Sequence, residues 1–148
     1  MAKERLLNYC LNYVKERIDR AQDAITAAQF SANEEGKSSA GDKYETGRSM
    51  MQLEVEKNTS QLLQARQLLQ LLNQIHTFHT GEIVQQGTLV STNNGKYYIA
   101  IGAGLVKIDE EPYFIISLDS PIGSLLKGKR IGDEITFNGK KIKILGIE

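Results

Sequence analysis

Small and apolar side chains recur along the first half of the chain at Leu7, Leu11, Val14, Ile18, Ala21, Ile25 and Ala28. The steps alternate between four and three, which is the a/d seam of a coiled coil. The same rhythm returns at Met51, Val55, Asn58, Leu62, Ala65, Leu69 and Leu72. Asn58 is the one polar member, a device that fixes register at some cost in stability. Folded back antiparallel, the two seams match in a single register. Ala28 meets Met51, Ala21 meets Asn58 and Leu7 meets Leu72, and the paired numbers always sum to 79 or 80. An intermolecular coiled coil would use the same seam, but the shared register favours a hairpin within one chain. Its turning point falls near Ser39 and Ala40. A helix of about 28 residues is roughly 40 Å long, so the tip lies far from the other end.

From about residue 80 the period changes from helical to alternating. "GEIVQQGTLVST" and "KYYIAIG" read as strands joined by the tight-turn signal "NNG", and "GLVKID" and "PYFIISL" follow as further strands. "SPIGSLLKGK" predicts a short helix, with Ser120 as N-cap and Pro121 at its first position. "DEITFNGKKIKILGIE" closes as a hairpin across Asn138-Gly139. The fold class is therefore α+β. An N-terminal antiparallel coiled-coil hairpin spans 1–80, with its tip near 38–48, and a small α+β domain spans 81–148.

Charge narrows the function. The 18 Lys and Arg balance the 18 Asp and Glu, and each half is neutral by itself. No overall basic field is present to drive nonspecific binding to nucleic acid, so any nucleic acid nearby is held by another molecule. Composition is that of an ordinary globular protein, with 41% hydrophobic and 24% charged residues and no disorder signature. The single cysteine, Cys10, excludes an intrachain disulfide and fits a reducing cytosol. The N-terminal residues carry charges every few positions and no signal-peptide core, and no apolar run is long enough to span a membrane. The expected location is the cytoplasm.

Several residue groups invite a chemical reading. His76 and His79 are spaced i, i+3 near the end of the second helix, but no third metal ligand is adjacent, so packing is the simpler role. Cys10 flanks the seam and reads as a small buried hydrophobe. Lys127, Lys129, Arg130, Lys140, Lys141 and Lys143 form a basic cluster, either a solvated sheet face or a docking patch for an acidic partner. Within the tip stretch "SSAGDKYETGR", Asp42 and Glu45 stand three residues apart. Asp at an N-cap followed by Glu three positions on is an acidic capping box, favoured also by the positive end of a helix. Two carboxylates on one turn also suit a shared divalent cation, provided that another molecule supplies its remaining ligands.

An acidic tip on a long hairpin, followed by a small α+β domain, resembles the Gre transcript-cleavage factors (GreA and GreB). "GDKYE" matches the family's Gly-Asp-x-x-Glu tip pattern, with the acids on Asp42 and Glu45. "SPIGSLLKGKRIGDEITF" is similar to the family signature that runs here from Ser120 to Asp133. The resemblance implies that the second domain is FKBP-like and docks on bacterial RNA polymerase, with Ser120, Pro121, Lys127, Lys129 and Arg130 as partner-binding residues. It implies that the hairpin enters the polymerase secondary channel, where Asp42 and Glu45 help hold the second Mg²⁺ and the polymerase cuts the 3′ end of backtracked RNA. The chain then has no cofactor of its own, acts as a monomer, and is an accessory factor rather than an enzyme. After the acid pair it reads "TGRSMMQLE" in place of the family's Asn-Ala-Glu-Tyr-like continuation. An alternative is thus a channel regulator of the same fold that does not cleave. A third reading, prolyl isomerase, needs an aromatic-lined pocket, whereas Tyr97, Tyr98, Tyr113, Phe114 and Phe137 fall mostly at strand positions that the core would claim.

Overall fold

The computed structural model describes the backbone of residues 2–38, 42–75 and 81–148, and the side chains of 2–31, 47–75 and 81–148. Two long helices come first, α1 over Ala2–Ser38 and α2 over Asp42–Asn73. Their ends bracket the turning point predicted at Ser39 and Ala40. Six strands follow: β1 Leu89–Thr92, β2 Gly95–Ile99, β3 Gly104–Ile108, β4 Glu111–Ile116, β5 Glu134–Phe137 and β6 Lys140–Ile147. The short helix α3, Pro121–Leu126, lies between β4 and β5. This is the α+β class that the two periods predict. Among the described residues no helix is long and apolar enough to cross a membrane.

The backbone gathers into two units, Tyr13–Leu69 and the remainder, Met1–Asn12 with Gln70–Glu148. Within the first unit every described seam position is buried or half-buried, from Val14 to Ala28 and from Met51 to Leu69. The flanking positions Lys15, Glu16, Glu56 and Lys57 are exposed. That alternation is what interlocking a and d side chains require. Ala21 and Asn58, which the predicted register pairs, line one cleft. α1 continues through residues 32–38, beyond the last apolar seam residue. Those positions lack proline, and the alanine, glutamates and lysine among them are good helix formers.

In the second unit the sheet order is β3-β4-β2-β1-β6-β5. β2 and β4 run parallel and every other neighbouring pair is antiparallel. One face carries a core of Val84, Val90, Tyr97, Ile99, Ile122, Leu126, Ile135, Ile142 and Ile144. Tyr98 points to the opposite face and is also fully buried. There Cys10 lies close enough to the Tyr98 hydroxyl to perturb it, and Leu6 is buried one turn earlier on α1. Burial on both faces explains why "YYIAI" is a continuous apolar run rather than an alternating one. β6 shows the one-sided pattern, with Ile142 and Ile144 buried and Lys141, Lys143 and Leu145 exposed.

Residues 81–88, read from sequence as strand, are irregular apart from one bridge between Ile83 and Arg130. Their hydrogen bonds go to separate partners. Val84 N donates to Lys129 O at 2.9 Å, Gly87 N to Ile99 O at 2.7 Å, and the Thr88 hydroxyl to Gln85 O at 2.7 Å. The Asn138-Gly139 hairpin forms as predicted, with φ of 51° and 78° at its two central residues, as a type I′ turn requires.

Candidate functional site

Asp42 is the first residue of α2, and Glu45 lies in the first turn of the same helix. Their side chains lie outside the described residues, as do Gly41 and the histidines His76 and His79.

The Ser120–Asp133 segment is built as the sequence predicts. Ser120 has extended backbone, and its hydroxyl accepts a hydrogen bond from Gly123 N at 3.0 Å while donating to Ser117 O at 2.7 Å. Pro121 follows in the first turn, and Ile122 and Leu126 point into the core. Gly123 permits a very close approach: a Cβ there would lie 2.2 Å from Ser117 O. After α3, Gly128 N donates to Val84 O at 2.8 Å, which ties the segment to the start of the domain. A turn over Arg130–Asp133 then leads into β5, with Arg130 N bonded to the Asp133 carboxylate at 2.8 Å.

The buried members of that signature serve the fold, while nine of its fourteen residues are exposed. Pro121, Leu125, Lys127, Arg130 and Ile131 are exposed, and Lys129 is half-buried. Arg130 also pairs with Glu82 at 3.2 Å. Of the residues predicted to bind a partner, Pro121, Lys127 and Arg130 present side chains to solvent, Lys129 does so in part, and Ser120 acts as the cap beneath them. Lys140, Lys141 and Lys143 are exposed on β6, and Lys143 stands opposite Glu134.

A second polar group was not legible in the sequence. Ala2, Arg5, Ile108, Asp109, Glu111 and Tyr113 line a cleft of about 210 Å³. Arg5 forms an ion pair with Asp109. Lys96 Nζ lies 2.5 Å from Glu111 and 5.8 Å from the Tyr113 ring centre, and the Tyr113 hydroxyl donates to Glu111 at 3.2 Å. The hydrogen bond from Lys96 holds the Glu111 carboxyl below its ordinary pKa, and the same bond raises that of Lys96. Burial, then the bond to Glu111, raises Tyr113. These residues are scattered over α1, β2, β3 and β4, so no local motif could have grouped them.

Cys10 and Tyr98 form an inert pair. Both are fully buried, and the Tyr98 hydroxyl has no hydrogen-bond partner among the described residues. Burial pushes the Cys10 thiol up to about 12 and raises the Tyr98 hydroxyl as well. Cys10 is thus the small hydrophobe that its sequence position predicts. The aromatic residues considered for an isomerase pocket are used in packing. Tyr97, Tyr98 and Tyr113 are buried, Tyr97 stacks on Phe114 at 5.2 Å, and Phe114 and Phe137 rest against the core.

No protein-family model matches the chain, and no curated protein matches it. Solved structures do match, among them the structure of the transcription factor Gfh1. That chain is 17% identical over 93% of this chain and 92% of its own, with a TM-score of 0.38.

Proposed function

We propose that this protein is a Gre-like transcription elongation factor that acts on bacterial RNA polymerase. The observation that carries the reading is the position of the Gly-Asp-x-x-Glu match. Asp42 and Glu45 fall in the first turn of a 32-residue helix, just after the break between two long seam-matched helices. In this reading the hairpin carries both acids down the secondary channel, and the FKBP-like domain docks through Pro121, Lys127, Lys129 and Arg130, with Ser120 fixing the helix beneath them. The neutral charge of each half suits a factor whose partner already holds the nucleic acid.

Two carboxylates are hard oxygen donors that suit Mg²⁺ but are too few to hold it alone. In this reading the polymerase supplies the remaining ligands. When bound, the metal supplies charge neutralisation at the phosphate and a more acidic water. Asp42 and Glu45 would share in holding it and would orient the attacking water. The chain is an accessory factor with no cofactor of its own, acts in the cytoplasm as a monomer, and leaves the chemistry to the polymerase.

Purified protein added to stalled, backtracked complexes should shorten the transcript from its 3′ end. Failure to bind polymerase would overturn the reading. A second reading, channel occupancy without cleavage, is favoured by one feature, the "TGRSMMQLE" continuation after the acid pair. It predicts polymerase binding with altered pausing or initiation and an unshortened transcript.

A further inference from the structure

The Ala21–Asn58 layer of the helical pair is underfilled, because a methyl group faces a short amide. The space left is a cleft of about 230 Å³ lined by Arg17, Arg20, Ala21, Asn58 and Gln61. Arg17 and Arg20 are three residues apart and so share one face of α1. Arg17 is half-buried and stands 6.0 Å over the Tyr13 ring, a contact that restricts its side chain before any ligand arrives. Asn58 is 7% exposed, and its amide nitrogen donates to Glu54 O at 2.9 Å and to the Glu54 carboxylate at 3.2 Å. Glu16 and Asp23 lie one turn to either side of Arg20 on its own helix. Even so, no ion pair joins Arg17 or Arg20 to a carboxylate among the described residues.

Two arginines without carboxylate partners among the described residues, lining one pocket together with Gln61, supply donors for an anion. A carboxylate is satisfied by one planar guanidinium fork, whereas a phosphate presents oxygens in several directions and can engage both arginines at once. We propose that the Arg17–Arg20 cleft is a phosphate-binding site, for a phosphate group carried either by a polynucleotide backbone or by a free phosphate compound. The inference stands independently of the polymerase reading, since it concerns the middle of the helical pair and not its tip.

The test is calorimetric titration of the full chain with inorganic phosphate and, separately, with a short single-stranded oligonucleotide. Wild type is compared with the double variant Arg17→Gln/Arg20→Gln and with a charge-matched control, Lys15→Gln/Lys57→Gln, whose lysines are exposed outside the cleft. Circular dichroism checks that each variant keeps its helices. The expected result is saturable binding of one phosphate per chain, weakened roughly tenfold or more in the cleft variant and unchanged in the control. Tighter binding of the oligonucleotide, lost in the same variant, identifies a polynucleotide as the source. Binding of inorganic phosphate alone identifies a free phosphate compound. No saturable binding of either probe, or equal weakening in both variants, overturns the proposal.

Discussion

Arg5 in the second turn of α1 forms an ion pair with Asp109, at the tip of the β3–β4 turn. Asp109 and Glu110, the two central residues of that turn, both have positive φ, at 53° and 67°. A two-residue hairpin turn favours this type I′ shape because its twist matches the strands, but it normally takes Asn-Gly or Asp-Gly. Here Glu110 adopts the left-handed conformation without glycine's freedom. Both partners of the ion pair are exposed, so the pair itself contributes little. Glu110→Gly should therefore raise stability by about 1 kcal/mol in urea denaturation, with the Arg5–Asp109 pair intact. A loss of stability would show that the turn is not strained at Glu110.

Ser120 and Gly123 should behave as structural residues of the Ser120–Asp133 segment. Ser120→Ala removes the cap and should cost about 1 kcal/mol, with Ser120→Asp restoring most of it. Gly123→Ala places a methyl group where Ser117 O already sits and should cost roughly 2–3 kcal/mol. Thermal or urea unfolding of the three variants checks both numbers.

How much was legible in the sequence depended on how local the cause was. The seam was readable because a 4-3 rhythm states one helix face, and a second rhythm in matching register states its partner. Ser120-Pro121 and Asn138-Gly139 were readable because cap and turn chemistry act within three residues. The Asp109-Glu110 turn was not, since Glu110 does not favour positive φ and only the pairing of β3 with β4 imposes it. The strand expected over 81–92 shortened to β1, because Val84 and Gly87 direct their hydrogen bonds to the α3 loop and to β2. At the candidate site, the Asp42–Glu45 reading rests on the spacing of the two acids together with the resemblance of the tip pattern. The Arg5–Asp109 and Lys96–Glu111–Tyr113 contacts arise from tertiary packing and carry no spacing signal.

Glu111 supplies a pH signature. Its folded pKa lies below its ordinary value, mainly through the hydrogen bond from Lys96. A depressed carboxyl stabilises the fold above the unfolded pKa, near 4.3, and that contribution is lost as pH falls through the folded value. Resonance titration of Glu111 should give a pKa below that of an ordinary glutamate, and Lys96→Met should return it towards the ordinary value. An unchanged titration in Lys96→Met would remove Lys96 as the cause.

Cys10 should resist chemistry until the protein unfolds. Its pKa rises from an ordinary 9.0 to about 12 through burial. The folded state thus holds its proton longer than the unfolded state, and stability should fall as pH climbs from about 9 towards 12. A thiol reagent at neutral pH should label Cys10 only at the rate of opening, with full labelling in denaturant. Rapid labelling of the native protein would contradict its burial beside Tyr98.

The central claim is that Asp42 and Glu45 act together at the polymerase active site. The most direct measurement is the Mg²⁺ dependence of 3′-end shortening in backtracked complexes, for wild type, Asp42→Ala and Glu45→Ala, with polymerase binding followed in parallel. Wild type should lower the Mg²⁺ concentration needed for cleavage, and either substitution should abolish this effect while binding persists. Equal cleavage by wild type and both variants across the titration would contradict it.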